Sequence, residues 1–334
     1  MEIIYHHDPK RNFGDDLNAV LWRNVLSRQV LESDRVVLVG IGSILNEEKL
    51  GHLRNDRRHV VVLGTGVSYG LPPKHMADWQ IDAVRGPITA HLIGRPEASV
   101  TDGAALLAKA LHLVPAAAQR QGVLFIPHHS SLPYNDWARA CALAGLNYVS
   151  PRETVENVLA AVNKAELVVT EAMHGAIVAD TLRVPWVPVV ASAAIDELKW
   201  RDWTRSLELP FEPIRIPPST FTADLADRRL LNRYRRHAVD GSDLLKEASE
   251  LSDYEQYLVR RRAAFMERGP SKLERAFWKL QKYVRRPQET RLLSEAAAAL
   301  HNARGTRHYL SEDSTFSNRV EQLEAAVRRI ESLA

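Results

Sequence analysis

The sequence predicts an α/β protein built on parallel sheets and closed by a helical tail. Two observations carry that expectation. Over the first two-thirds of the 334 residues, short apolar runs rich in β-branched residues alternate with helically spaced segments. Several of those runs, VVLV and VVVL among them, are unbroken rather than alternating, as strands buried on both faces are.

Strands are expected at 3–5, 35–40, 59–64, 80–84, 122–126, 147–149, 167–170 and 186–189. Helices are expected between them, at 15–26 with Leu17, Val20, Leu21 and Val25 near helical spacing, at 154–164 and at 175–182. A Pro- and Ala-rich break at 112–121 precedes a new strand, and four prolines interrupt 209–219. These breaks divide the chain into expected domains at 1–115 and 116–215 and a helical extension at 216–334. Within the extension, 271–284 reads as a basic amphipathic helix, with Leu273, Phe277, Leu280 and Val284 opposite Lys272, Arg275, Lys279 and Lys282. A second amphipathic helix at 318–333 carries Val320, Leu323, Val327 and Ile330.

Composition bounds the class. Hydrophobic residues make 45% and charged residues 25%, the balance of a soluble globular chain large enough to bury its own core. The single cysteine, Cys141, excludes an internal disulfide. No leader-like start and no membrane-length apolar run is present, so a cytoplasmic protein is expected. The net charge of +3 is uneven: residues 219–334 hold 22 Lys and Arg against 17 Asp and Glu. That basic tail suits a membrane surface, an acidic protein or no partner at all; no nucleic-acid partner is expected.

Candidate chemistry gathers where strands end, the edge of a parallel sheet at which ligands bind. Asn12-Phe13-Gly14-Asp15-Asp16 follows the first strand; Asp15 or Asp16 is either a helix N-cap or a site carboxylate. The turns holding Gly42 and Gly66 are either ordinary turns or donors of backbone N–H to an anion, and neither completes a dinucleotide fingerprint. Arg85, directly before Gly86-Pro87 and a helix start, reads as an anion site, the alternative being a structural salt bridge. Asp102 reads as an N-cap. Of the adjacent His128 and His129, one is expected to face the cleft and the other the surface. His174, opening an apolar helix after the strand at 167–170, is placed for general acid work. Lys199 can hold an anion, and Trp200 can offer an aromatic face to a sugar or pack a seam.

Taken in order, NFGDDLN, GIGSIL, VLGTGVSYG, VRGPIT, TDGAALL, FIPHHSS and TEAMHGAIVADTLRVPWVPV resemble the polysaccharide pyruvyl transferase family, in the branch of bacterial exopolysaccharide synthesis that includes succinoglycan. The resemblance covers roughly residues 1–205. It implies two Rossmann-like domains facing a cleft, as in the glycosyltransferase B type, with phosphoenolpyruvate as donor, no metal or other cofactor, and release of phosphate. It implies that Arg85 holds the donor and that a protonated His174 is the acid. Many members carry an arginine two residues before that histidine, where this chain has Ala172, so either another cation neutralises the donor, with Lys199, Arg183 and His128 as candidates, or the anion is held differently. From the residues themselves, Asp15 or Glu171 is the expected base, and Asn12, Gly14, Gly42, Gly66 and Trp200 are expected substrate contacts. The expected acceptor is a polymeric or lipid-linked saccharide at the inner face of the membrane, and 271–284 either rests there through Phe277 and Trp278 or packs across the two domains. A sugar-nucleotide glycosyltransferase and a non-enzymatic assembly scaffold are the competing readings.

Overall fold

A computed structural model describes residues 1–117, 119–239, 251–267, 271 and 286–333. The basic helix expected at 271–284 lies, apart from Ser271, outside the described residues. Among the described residues, nine strands form two wholly parallel sheets. The first contains β1 (Glu2–Ile4), β2 (Val36–Val39), β3 (His59–Thr65) and β4 (Gln80–Val84), in that spatial order. The second contains β5 (Val123–Ile126), β6 (Asn147–Tyr148), β7 (Leu167–Thr170), β8 (Trp186–Val190) and β9 (Ile214–Arg215), in the order β6-β5-β7-β8-β9. All eight expected strands form, and β9 lies inside what read as a proline break. Pro213 immediately precedes β9, which sits at the edge of its sheet, where a missing N–H is tolerated.

Helices α1 (Phe13–Val25), α2 (Arg28–Glu32), α3 (Glu47–Leu50) and α4 (Pro87–Leu92) accompany the first sheet. Helices α5 (Trp137–Ala144), α6 (Val155–Lys164), α7 (Met173–Thr181) and α8 (Glu197–Ser206) accompany the second. The sequence sets their starts: Thr154 accepts from the Asn157 N–H at 3.1 Å to begin α6, and Pro87 occupies the first turn of α4. Neighbouring residues of β2 serve opposite faces. Val36 and Leu38 enter a core shared with Leu17, Leu21 and Trp22 of α1, while Val37 and Val39 enter a second with Ile88 of α4. The unbroken apolar runs are thus the mark of sheets covered on both sides.

The first core joins the two halves. Besides α1 it holds Val158, Leu159 and Val162 of α6 and Ile177 of α7. The tail, α9 (Phe221–Arg236), α10 (Leu251–Met266), α11 (Arg286–Ala303) and α12 (Asp313–Glu331), divides among the cores instead of standing apart. Tyr254, Tyr257 and Leu258 of α10 cover the outer side of the first sheet, and Leu293, Ala296 and Leu300 of α11 pack with Cys141 of α5. The last helix returns to the first half: Leu323 and Ile330 enter the shared core, and Glu324 and Arg329 pair with Lys109 and Asp82 at 3.0 and 2.7 Å. Leu323 is fully buried, so Leu323→Ala should cost about 2–5 kcal/mol, read as a lower urea midpoint with an unchanged slope.

Candidate active site

A cavity of about 330 Å³ opens where the carboxyl ends of both sheets face one another. His6 beyond β1, Ser43 beyond β2 and Tyr69 beyond β3 line one side; His128 and His129 beyond β5, His174 beyond β7 and Ala194 beyond β8 line the other. Phe265 of α10 closes the rim. In the second sheet the strand order reverses between β5 and β7, and His128 and His174 stand just beyond those two strands, at the crevice such a reversal leaves. The first sheet has no reversal.

The second half contributes three of the lining histidines and the buried Lys199. His128 and His129 both line the cavity with ring centres 4.2 Å apart, so the expectation that one of them faces away is corrected. Lys199 projects from α8 with its ammonium 3.3 Å from His128 Nε2, and it forms no ion pair among the described residues. Ala172 also lines the cavity, and Lys199 is the buried cation there; Arg183 is instead tied to Asp180, Asp313 and Ser311 and stacks on Phe316. Glu171 does not face the cavity. Its carboxylate accepts from the His128 and Ala191 N–H groups, both at 3.0 Å, and from Ser131 Oγ at 2.6 Å, tying together the loops after β5 and β8. Trp200 is fully buried, stacked on Phe211 at 5.3 Å between ring centres, and offers no face to a sugar. It stands one residue after Lys199, and on a helix that step turns it to the core.

From the first half, Asn12, Phe13 and Asp15 line the cavity at the start of α1. The N-cap position is Asn12, not either aspartate, and its amide donates to Asp15 Oδ2 at 2.7 Å. Gly14 is required by its neighbour: a Cβ there would lie 2.1 Å from His174 Nδ1. The two glycine turns keep their donors and acceptors to themselves. The Gly66 N–H donates to the Gly42 carbonyl at 3.0 Å, and the space a Cβ on Gly66 would fill is taken by the Arg85 guanidinium. Neither glycine lines the cavity.

Arg85 itself is the largest correction. Its guanidinium is fully buried, 3.1 Å from Asp202 Oδ2, and donates to Ser43 Oγ at 2.7 Å and the Val67 carbonyl at 2.9 Å. An anion does occupy the start of α4, as the sequence suggested, but it is Asp202 of α8, whose Oδ1 accepts from the Ile88 and Thr89 N–H groups at 2.9 and 3.0 Å.

Burial and the nearby ammonium set the charge state. Burial, then Lys199, pushes His174 down to about 3 and His129 to about 4, and holds His128 well below its ordinary range. A protonated His174 is therefore not the state of the empty cavity. Burial raises Asp15 to about 7, against the opposing pull of Asn12 and Lys199. Around the buried Lys199 ammonium the cavity thus sets His128, His129 and His174, all held toward the uncharged form, and the Asp15 carboxyl; His6, Glu48 and Lys49 line it further out. An entering anion offsets the Lys199 charge and lifts the imidazoles toward protonation. Among the described residues, no three His, Cys, Asp or Glu side chains gather to hold a metal ion, and no helix is long and apolar enough to cross a membrane.

Some lining residues carried no sequence signal. His6 follows the first strand and was findable by the strand-end rule; Asn46 reads as the cap of α3, to which it accepts at 3.1 Å from the Lys49 N–H. Tyr69 and Phe265 are nearly two hundred residues apart and meet only through folding.

Two measurements follow. Arg85→Ala leaves Asp202 buried and unpaired, and should cost about 3–5 kcal/mol in urea unfolding, far more than loss of a ligand contact. Asp15 keeps its proton up to about 7 in the folded chain but only through the ordinary carboxylate range when unfolded, so its contribution is present in acid and lost as pH rises through 7. The stability of Asp15→Asn relative to the unaltered protein should therefore increase between about pH 5 and about pH 8.

The sequence has counterparts among known proteins. A family model described as polysaccharide pyruvyl transferase matches residues 89–192, which include His128, His174 and Ala172. The succinoglycan biosynthesis protein ExoV of Rhizobium meliloti (strain 1021) is 38% identical over 224 residues, covering 66% of this chain and 69% of that protein. No solved structure matches. The chain therefore belongs to the polysaccharide pyruvyl transferase family and is a transferase.

Proposed function

We propose that the protein moves a pyruvyl group from phosphoenolpyruvate to a sugar of an exopolysaccharide or its lipid-linked precursor, leaving a cyclic pyruvate ketal. The observation that carries this reading is Lys199: a buried ammonium without an ion pair among the described residues, set beside three imidazoles at the mouth of two parallel sheets. A buried unpaired cation is costly, and an anionic substrate supplies what it lacks. The two sheets, with 1–115 and 116–215 as domains and 216–334 as a helical extension, serve as the two halves of a glycosyltransferase B-like frame.

In this reading Lys199, with His128 and His129, holds the donor's phosphate and carboxylate. Arg85 acts one layer below, by holding Ser43 and α8. Once the donor's negative charge is in place, His174 takes up a proton and gives it to the methylene carbon, which becomes a methyl group. Positive character grows at the adjacent carbon. One sugar hydroxyl adds there and loses its proton to Asp15; a second displaces phosphate, which leaves with the remaining proton. Asp15, near neutrality, suits a base. No metal takes part. The acceptor is met at the inner face of the membrane, where a cytoplasmic protein can reach it while peripherally bound.

The test is phosphate release from phosphoenolpyruvate in the presence of pyruvate-free polysaccharide or lipid-linked precursor. His174→Ala should lower kcat by about 100-fold or more. Lys199→Met should raise KM for phosphoenolpyruvate by about 10-fold or more, the loss expected for a charge-assisted contact. Stabilisation by a nucleotide sugar and not by phosphoenolpyruvate in a thermal shift would sink the reading.

A further inference from the structure

We infer that Asp102 is the positioning residue for His174, holding the ring by its Nε2 edge and carrying the negative charge against which the ring becomes imidazolium. The inference rests on the pyruvyl-transfer reading for its chemistry but not for its geometry.

Asp102 begins the 3-10 helix Gly103–Lys109, and its Oδ1 accepts from the Ala104 N–H at 3.0 Å. That cap explains one oxygen. Oδ2 is buried without a partner, and so is Nε2 of His174; Nε2 lies 4.0 Å from Asp102 Oδ1. Each such orphan costs about 1–3 kcal/mol, and here the unpartnered Nε2 of one half stands 4.0 Å from the carboxyl of the other, whose second oxygen is also without a partner. The surroundings bring both together. Gly64 has φ +80 and no Cβ, which lets the Gly103 backbone press against β3 and seats Asp102. Gly14 leaves room for the Nδ1 edge of the imidazole on its other side. With Nε2 buried, the ring meets the cavity by that Nδ1 edge. A closure of about 1 Å brings Nε2 within hydrogen-bond reach of the carboxylate.

Lys199, Arg85, His129 and His128 act on the ring, and Arg85 and Asp202 act on Asp102; Asp15 shares the cavity wall. Burial raises Asp102 to about 7 as it lowers His174 to about 3, so in the empty cavity the pair's extra proton rests on the carboxyl. An anion beside Lys199 reverses the balance. The proton crosses to Nε2, the carboxylate stays ionised, and the proton on Nδ1 is then free to leave for the substrate carbon. The ring keeps the Nε2 proton throughout the transfer, as in acid–base pairs where a carboxylate fixes the tautomer.

Asp102→Asn separates this role from the structural one, because asparagine caps as well as aspartate. Thermal melting should change little, and the dissociation constant for phosphoenolpyruvate, by calorimetry, should stay within about threefold. With kcat, the expected loss is about 100-fold. The alkaline limb of kcat, which marks loss of the pair's proton, should move down by about one pH unit or more. A kcat within about threefold, or an unmoved limb, overturns the inference. In the unaltered protein, histidine ¹⁵N shifts at about pH 9, above the Asp102 titration, should show His174 as the Nε2–H tautomer. The Nδ1–H tautomer would overturn the inference whether or not the variant folds. If the Nε2–H tautomer is found but phosphoenolpyruvate gives no phosphate, the pair stands and the donor assignment falls.

Discussion

The buried ion pair between Arg85 and Asp202 is the constraint on which the cavity depends. Arg85 ends β4 in the first half, and Asp202 belongs to α8 in the second. The same carboxylate accepts from two N–H groups at the start of α4 and from Thr89 Oγ1 at 2.5 Å, so it answers the helix dipole and the guanidinium together. Lys199 stands three residues earlier on α8, about one helical turn away. Fixing Asp202 against the first half therefore fixes where the ammonium enters the cavity. Removing either charge would leave the other stranded in the interior, which makes the joint hard to lose.

The other end of α8 is held as firmly. Asp196 caps it through the Leu198 N–H at 3.1 Å, and also meets Ser68, Tyr257 at 3.0 Å and Arg261 at 3.3 Å. Burial works against its ionised form, but Arg261 and the hydroxyl donors outweigh it and hold Asp196 below the ordinary range. Tyr257 and Arg261 come from α10, and Arg261 also lies over the rings of Tyr69 and Phe265 at the cavity rim. The tail thus braces the helix that carries Lys199 and shapes the opening above it.

Between these fixed points the cavity keeps its histidines uncharged. Three imidazoles near one ammonium cannot all be cationic in a space shielded from water, so the site holds proton acceptors until an anion arrives. In the proposed reading, charge on the ligand decides when His174 becomes an acid.

The sequence by itself determined the two parallel sheets, because unbroken apolar runs can only be buried on both faces, and it determined that chemistry gathers after β1, β5 and β7, because chain direction sets the ligand edge. Asn12, Asp15, His128 and His174 were legible on that basis, and Lys199 from its place in the segment 199–203. What the tertiary structure decided is which charges are spent inside the protein. Arg85 and Glu171 look free in sequence because their partners, Asp202 and the His128 and Ala191 N–H groups, lie 117, 43 and 20 residues away. Trp200 and Lys199 differ only in the face of α8 they occupy. Asp102 reads as a cap, and its meeting with His174 exists only because glycines at 14 and 64 let two segments approach where any side chain would have kept them apart.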